Sequence, residues 1–222
     1  MVIPAGGTGT RLGRRTPKQF LRLGRATILA HTLRHFERHP GVRAIVIAAP
    51  TAHVARTRAL LGLRAGNCRR VEVVPGGATR QESVWRGLGA LPEGLDLVLV
   101  HDAVRPFITR ALIDAVAGAA AAAGAAVCAL PVAETVKRVR DGVVEATLDR
   151  SVLWAVQTPQ GFRVDLLREA HDKARRDGAE ATDDAMLVER LGHQVRVVPG
   201  LPGNVKITTP ADLRAARGTV RR

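Results

Sequence analysis

The sequence predicts an α/β fold, a doubly wound and mostly parallel sheet carrying one protruding β-hairpin arm. Three observations predict it. Uninterrupted apolar runs of strand length, clearest at Ala44 to Ala49 and Leu97 to Val100, are what strands covered on both faces require. These runs alternate with segments of helical periodicity, as successive βα units do. Between Pro131 and Leu148 the rhythm breaks into two alternating segments around Asp141-Gly142, and a D-G pair between such segments signals a hairpin.

Residues 1 to 3 read as the end of a first strand, short because a glycine loop follows at once. Thr27 to Arg38 is an amphipathic helix with Ile28, Leu29, Thr32, Leu33 and Phe36 on its apolar face, and Pro40-Gly41 stops it. After the strand at Ala44, a helical segment runs from Thr51 to about Leu63, then a strand from Val71 to Val74. Pro75-Gly76-Gly77 turns the chain into a helix from Arg80 to Leu91, with Thr79 placed to cap it. The strand ending at Val100 leads into His101-Asp102-Ala103-Val104-Arg105-Pro106-Phe107. Ala111 to Ala126 is nearly pure alanine and reads as a packed helix before a strand from Val127 to Leu130. Ser151 to Phe162 returns from the hairpin to the body. Helices near Val164 to Arg176 and Asp183 to Leu191, a strand from Gln194 to Val198 and a helix from Pro210 complete the chain. Neither an internal repeat nor a second domain boundary is evident, so residues 1–222 read as one domain with an arm at about 132–150.

Composition narrows the function classes. The formal net charge is +14, and lysine occurs only at positions 18, 137, 173 and 206, so arginine supplies nearly all of the positive charge. Those arginines are scattered, aromatic residues are 3% and tyrosine is absent, which leaves little for base stacking. A basic field that attracts anionic small molecules fits better than a nucleic-acid surface. No apolar run approaches the ~18 residues of a membrane span, and no secretory n-region or h-region opens the chain, so a cytoplasmic protein is expected. Cys68 and Cys128 are far apart, belong to no metal-binding spacing and read as free thiols.

The chemistry concentrates near the start, in Val2-Ile3-Pro4-Ala5-Gly6-Gly7-Thr8-Gly9-Thr10-Arg11 and the following Thr16-Pro17-Lys18-Gln19-Phe20. Glycines at 6, 7 and 9 allow backbone N–H groups to close around an anion without a Cβ in the way. Arg11 adds a planar fork of donors and Lys18 a compact charge, a pair suited to phosphate under attack. The dinucleotide fingerprint fails because position 12 is Leu12, and the P-loop fails because no Gly-Lys pair exists in the chain. On the glycines alone, a turn joining a strand to a helix fits as well.

These strings, P-A-G-G-T-G-T-R-L-G and T-P-K-Q-F, resemble the signature of the sugar-phosphate cytidylyltransferases, nucleotidyltransferases with a Rossmann-like sheet. The resemblance implies transfer of CMP from CTP to a sugar alcohol phosphate, with Ala5, Gly6, Gly7, Thr8 and Gly9 around the nucleotide and Arg11 and Lys18 catalytic. Gly76-Gly77-Ala78-Thr79-Arg80-Gln81-Glu82-Ser83 is similar to a second nucleotide loop, implying that Gly76, Gly77 and Ser83 hold cytosine and ribose; relatives often carry an acid where Ala78 stands. H-D-A-V-R-P-F resembles the metal motif, which implies Mg²⁺ or another divalent cation at Asp102 and Arg105 beside the substrate. As a loop aspartate or helix cap, Asp102 would have no such role. Thr135, Arg150 and Lys206, ordinarily solvated residues, match positions that hold the sugar phosphate. The first two would come from the neighbouring subunit of a homodimer that exchanges β-arms. Thr158-Pro159-Gln160 and Thr182-Asp183-Asp184 also match family strings, although helix capping at Thr182 explains the latter equally. Thr135-Val136-Lys137-Arg138 and Asp149-Arg150-Ser151-Val152-Leu153-Trp154 incline the acceptor to 2-C-methyl-D-erythritol 4-phosphate over ribitol 5-phosphate. A basic RNA-binding protein is the non-enzymatic alternative.

Overall fold

The computed structural model describes residues 1–6, 16–61 and 70–220. Strand β1 (Val2–Pro4) is followed by a small ribbon, β2 (Arg22–Leu23) with β3 (Ala26–Thr27), and by helix α1 (Ile28–Glu37). Next come β4 (Ala44–Ala49), a 3₁₀ turn at Thr51–His53, α2 (Val54–Leu61), β5 (Arg70–Pro75), α3 (Arg80–Gly89) and β6 (Leu97–Val100). The second half contains α4 (Arg110–Ala123), β7 (Ala125–Pro131), the hairpin β8 (Lys137–Arg140) and β9 (Val143–Thr147), and β10 (Trp154–Arg163). Helices α5 (Val164–Arg176) and α6 (Asp184–Arg190), β11 (Arg196–Pro199) and α7 (Pro210–Val220) close the fold.

Among the described residues the main sheet holds seven strands in the order β11-β7-β10-β6-β1-β4-β5. Residues alternate across it as a strand demands. Ile3, Ile45 and Ile47 face α1 and α4, packing with Leu33, Phe36, Ile113 and Val116. Val2, Val46, Val98 and Val100 face the other way, onto Val84, Leu88, Leu167 and Val188 of α3, α5 and α6. Both faces are therefore covered, which is why these strands read as continuous apolar runs.

Several expectations need correction. The strand β10 was not legible: it is ten residues long and runs antiparallel between β6 and β7. Its Thr158-Pro159-Gln160-Gly161 core has no apolar alternation, and the ladder to β7 shifts register between Val156 and Gln160. The alanine-rich helix ends at Ala123, not Ala126, because Gly124 turns the backbone with φ +88 and Ala125 and Ala126 already belong to β7. Alanine carries no periodicity that could mark this boundary. Asp183, not Thr182, caps α6, accepting from the Met186 N–H at 3.0 Å. The hairpin forms as read, with Asp141 and Gly142 both at positive φ, the geometry of a tight primed turn.

The helix–strand contact behind β1 is unusually close. A Cβ on Gly87 of α3 would lie 2.6 Å from Cγ1 of Val2, whose side chain is fully buried. Gly87→Ala is therefore expected to cost about 1–3 kcal/mol through overpacking. Gly118→Ala in α4, where a Cβ meets nothing within 4 Å, should be neutral or stabilise by up to about 1 kcal/mol. Urea denaturation midpoints of the two variants check the opposite signs.

Candidate active site

The chain passes from β1 outward through β4 to β5, then crosses back to place β6 on the other side of β1. Such a switch point opens a crevice beyond the carboxyl ends of the strands. A cleft of about 380 Å³ lies there. Pro4, Ala5 and Gly6 enter it from β1, Gly77, Ala78 and Thr79 from the turn after β5, and Asp102, Ala103 and Val104 from the segment after β6. Lys18, Gln19, Arg80 and Lys206 complete the lining.

Backbone hydrogen bonds fix the loops. Buried Gln19 donates to the Ala5 carbonyl at 2.6 Å, pinning the start of the glycine loop. The Ser83 hydroxyl, 1% exposed, accepts from the Gly77 N–H at 3.0 Å and donates to the Thr79 carbonyl at 2.9 Å. It also explains two glycines: a Cβ would stand 3.3 Å from Ser83 Oγ at Gly6 and 2.9 Å at Gly76. Thr79 caps α3 as expected, while Glu82 accepts from the Ala78 N–H at 2.7 Å. Arg86 donates to the Gly76 carbonyl at 3.0 Å and pairs with Glu82 at 2.6 Å.

Asp102 is the electrostatic centre. Its Oδ2 lies 2.9 Å from Lys206 Nζ and 3.5 Å from Arg105 Nε, and its Oδ1 lies 3.4 Å from Arg80 Nε. Burial works to raise its pKa, but Arg80, Lys206 and Arg105 outweigh it and hold the carboxyl well below the usual carboxylate range. The Asp102 N–H donates to Thr158 Oγ1 at 3.0 Å, and that hydroxyl lies 3.1 Å from His101 Nδ1. His101 Nε2 faces the Arg105 carbonyl at 3.1 Å, so the consistent tautomer is neutral with its proton on Nε2. Burial lowers the His101 pKa to about 4.

Among the described residues no three His, Cys, Asp or Glu side chains gather as a metal cage. One carboxylate facing a cleft fits a hard cation that takes most of its ligands from phosphates and water, as Mg²⁺ does.

The structure distributes the expected residues unevenly. Ala5, Gly6, Gly77, Lys18, Asp102 and Lys206 meet at the cleft, with Gly76 and Ser83 directly behind it. Gly7, Thr8, Gly9, Arg11 and Cys68 lie outside the described residues. Arg105 is 9% exposed and its Nη1 donates to the Asn204 carbonyl at 2.7 Å. With the Ile207 N–H donating to the Val104 carbonyl at 3.0 Å, it straps down the segment that presents Lys206. Thr135 and Arg150 sit on and beside the exposed arm and are not among the residues lining the cleft, and Arg150 donates to the Ala133 carbonyl. Cys128 is buried in β7 with its thiol pushed up to about 11 by burial, as suits an inert core residue.

Residue-level reading missed Arg80, which pairs with both Asp102 and the buried Asp184. Its position as the first helical residue after a glycine turn was the available signal; Asp184 was marked only within the string Thr182-Asp183-Asp184, since its partners are distant in sequence.

The model of the IspD family, 2-C-methyl-D-erythritol 4-phosphate cytidylyltransferase, matches residues 1–222. The chain belongs to this family. A relative of that name from Symbiobacterium thermophilum is 50% identical over 217 residues, covering 97% of this chain and 90% of its own length. The crystal structure of 2-C-methyl-D-erythritol 4-phosphate cytidylyltransferase from Thermus thermophilus superposes with a TM-score of 0.81 at 39% identity, covering 100% of this chain and 98% of that one. The 4-diphosphocytidyl-2C-methyl-D-erythritol synthase structure from Anaerococcus prevotii gives 0.87 at 30% identity, covering 100% and 97%. Membership makes the chain a cytidylyltransferase on a nucleotidyltransferase-like α/β fold.

The buried His101 gives the fold a pH dependence. The unfolded chain protonates it near pH 6.5 and the folded one only near 4, so stability falls as pH drops through that window, by about 3 kcal/mol in total. His35, also lowered by burial, adds in the same direction. Urea unfolding at pH 7.5, 5.5 and 4.5 should show this slope, and His101→Asn should flatten most of it.

Proposed function

We propose that the chain transfers the cytidylyl group of CTP to 2-C-methyl-D-erythritol 4-phosphate, forming 4-diphosphocytidyl-2-C-methyl-D-erythritol and pyrophosphate in non-mevalonate isoprenoid precursor synthesis. The observation that carries this reading is the cleft at the switch point, which Lys18 lines and where Arg80, Arg105 and Lys206 surround one carboxylate. In it a triphosphate finds cations, glycine-loop backbone and one metal-binding oxygen together.

A phosphate oxygen of the acceptor attacks the α-phosphorus of CTP, the bond to the oxygen bridging to the β-phosphorus breaks, and pyrophosphate leaves. The attacking phosphate is anionic near neutral pH, so no general base is required. Arg11 and Lys18 stabilise charge on the crowded α-phosphate, while Ala5, Gly6, Gly7, Thr8 and Gly9 wrap the triphosphate. Gly76, Gly77 and Ser83 form the rim that receives cytosine and ribose. Asp102 would hold the divalent cation, Mg²⁺ in this reading, which neutralises phosphate charge when bound. Lys206 turns from Asp102 to the acceptor phosphate. Arg105 acts at the substrate through the segment it straps, the role its burial suits.

The arm completes the site in this reading. A two-stranded hairpin is marginal alone, and β8 and β9 expose Val139, Val143 and Val144 by more than half. A homodimer in which each arm covers the partner subunit would bury them and bring Thr135 and Arg150 to the neighbouring cleft. The chain then acts as one domain with an exchanged arm at about 132–150. Among the described residues no helix is long and apolar enough to cross a membrane, which accords with the cytoplasmic site expected from sequence.

Pyrophosphate release with CTP, Mg²⁺ and 2-C-methyl-D-erythritol 4-phosphate should exceed that with ribitol 5-phosphate or with other nucleoside triphosphates; activity with neither acceptor would refute the reading. Lys18→Ala should lower kcat by roughly 10²–10³-fold with little change in CTP affinity, as for loss of one transition-state donor. Light scattering should give twice the 23.7 kDa chain mass. Mixing Arg150→Ala with Lys206→Ala subunits should recover activity that neither has alone, and no recovery would remove the shared site.

A further inference from the structure

Behind the cleft a line of polar side chains runs into the protein. His171 and Asp184 are 0% and 1% exposed, and His171 Nε2 lies 3.1 Å from Asp184 Oδ1. Asp184 Oδ2 lies 2.7 Å from Arg80 Nη1, and Arg80 Nε lies 3.4 Å from Asp102 Oδ1. The Asp184 backbone is pinned, because its N–H donates to Gln160 Oε1 at 3.2 Å and the neighbouring Asp183 accepts from Gln160 Nε2 at 2.6 Å. The far end of this line is buried and the near end is the cleft carboxylate.

Such an arrangement is costly unless it does something. Buried ion pairs are weak contributors to stability, since desolvation offsets their attraction. Asp184 is partnered by His171 at Oδ1 and by Arg80 Nη1 at Oδ2, and neither contact requires the further reach of Arg80 Nε to Asp102. Arg80 also occupies the first turn of α3, directly after Thr79 at the nucleotide loop, and its side chain is 28% exposed. Its planar fork can hold two carboxylates at fixed angles, which a lysine cannot do.

We propose that Arg80, held from behind by Asp184 and His171, is a positioning residue that fixes the orientation of the Asp102 carboxylate toward the cleft. This rests on the cleft being the CTP site. Lys206, 38% exposed, is the cation that leaves Asp102 when ligand arrives, whereas Arg80 stays. Asp102 thereby keeps Oδ1 tethered, while Oδ2, which retains Arg105 Nε at 3.5 Å, is the oxygen that Lys206 uncovers. His171 and Asp184 touch no substrate and act only through Arg80.

The test uses the full-length protein and the variants Arg80→Lys, Asp184→Asn and the double variant. Arg80→Lys keeps the charge and Asp184→Asn keeps the shape, so both are expected to fold, which thermal melts check. Calorimetric CTP titrations with EDTA and with Mg²⁺ give the gain in affinity that the cation provides. That gain should shrink by roughly tenfold in each single variant, and by no more in the double variant, because groups acting in one line are not additive. Turnover with CTP and acceptor should fall by a similar or larger factor, with the KM for CTP in Mg²⁺ changing less than kcat. A purely structural ion pair would instead lower the melting temperature while leaving the Mg²⁺-dependent gain and kcat within twofold of the parent, and that result overturns the proposal. Additive losses in the double variant overturn the line through Asp184. If the parent binds CTP but shows no turnover, the functional reading fails while calorimetry still decides on Arg80; if it binds no CTP under either condition, both fall.

Discussion

The structure around the cleft depends on one carboxylate that is never allowed to be alone. Asp102 sits at the end of β6, where burial penalises its charge, and three cations from three parts of the chain converge on it. Each brings a piece of backbone along. Arg80 brings the first turn of α3 and hence the loop after β5. Arg105 brings the segment around Asn204, and Lys206 closes over from that segment. Were the carboxylate removed, three cations would face one another across a partly desolvated crevice, a far greater penalty than the loss of any single pair. The three are graded in exposure, with side chains 11% exposed at Arg105, 28% at Arg80 and 38% at Lys206. That gradient separates roles: the most buried cation can only brace, and the most exposed one is free to exchange a carboxylate for a phosphate at little cost.

The same economy governs the glycine rim after β5. A single buried hydroxyl, Ser83, organises the loop after β5 from beneath by accepting from one backbone N–H and donating to one carbonyl. Because it stands so near, a Cβ at Gly76 would meet it at 2.9 Å and one at Gly6 would press on it at 3.3 Å. Gly76 is thus required by close approach to Ser83 even before any ligand is considered, and the smooth wall the two glycines leave is one a nucleotide can lie against. Glu82 and Arg86 add a second layer, bonded to the Ala78 N–H and the Gly76 carbonyl, so this rim is set by helix α3 and not by the loop itself. A loop shaped in this way is preorganised, and ordering it costs little when ligand binds.

Much of this was legible in the sequence where local rules operate. The apolar runs at Ala44 and Leu97, the amphipathic pattern from Ile28 to Phe36, the Thr79 cap and the Asp141-Gly142 turn each follow from residues a few positions apart, and each is present. What failed to show was non-local or lacked contrast. Trp154 to Arg163 forms a strand because β6 and β7 both offer it an edge, not because its own pattern demands one. The end of α4 was hidden because alanine suits a helix and a buried strand alike. At the site, the family strings pointed to Asp102, Lys206 and Arg105 but not to their contacts: both cations pair with Asp102, and Arg105 also bonds the Asn204 carbonyl. Arg80 was quoted only as part of a loop, since its meaning comes from Asp184, a residue distant in the chain and adjacent in space.

The arm is the part of the molecule whose sequence and surroundings disagree. Val139 and its cross-strand partner Val144 share one face of the hairpin, while Arg138 and Arg140 on the other face both pair with Glu145, at 3.2 Å and 2.6 Å. Val143 stands opposite Arg140 on that second face, and all three valines are more than half exposed in the single chain. Exposed ion pairs contribute little, and a two-residue turn alone does not hold a hairpin together in water. A ribbon with exposed valines therefore gains stability where another surface covers them. Val152, beside the arm, and Trp154 and Val156 of β10 are exposed as well, and in the homodimer proposed above symmetry would cover both arms at once.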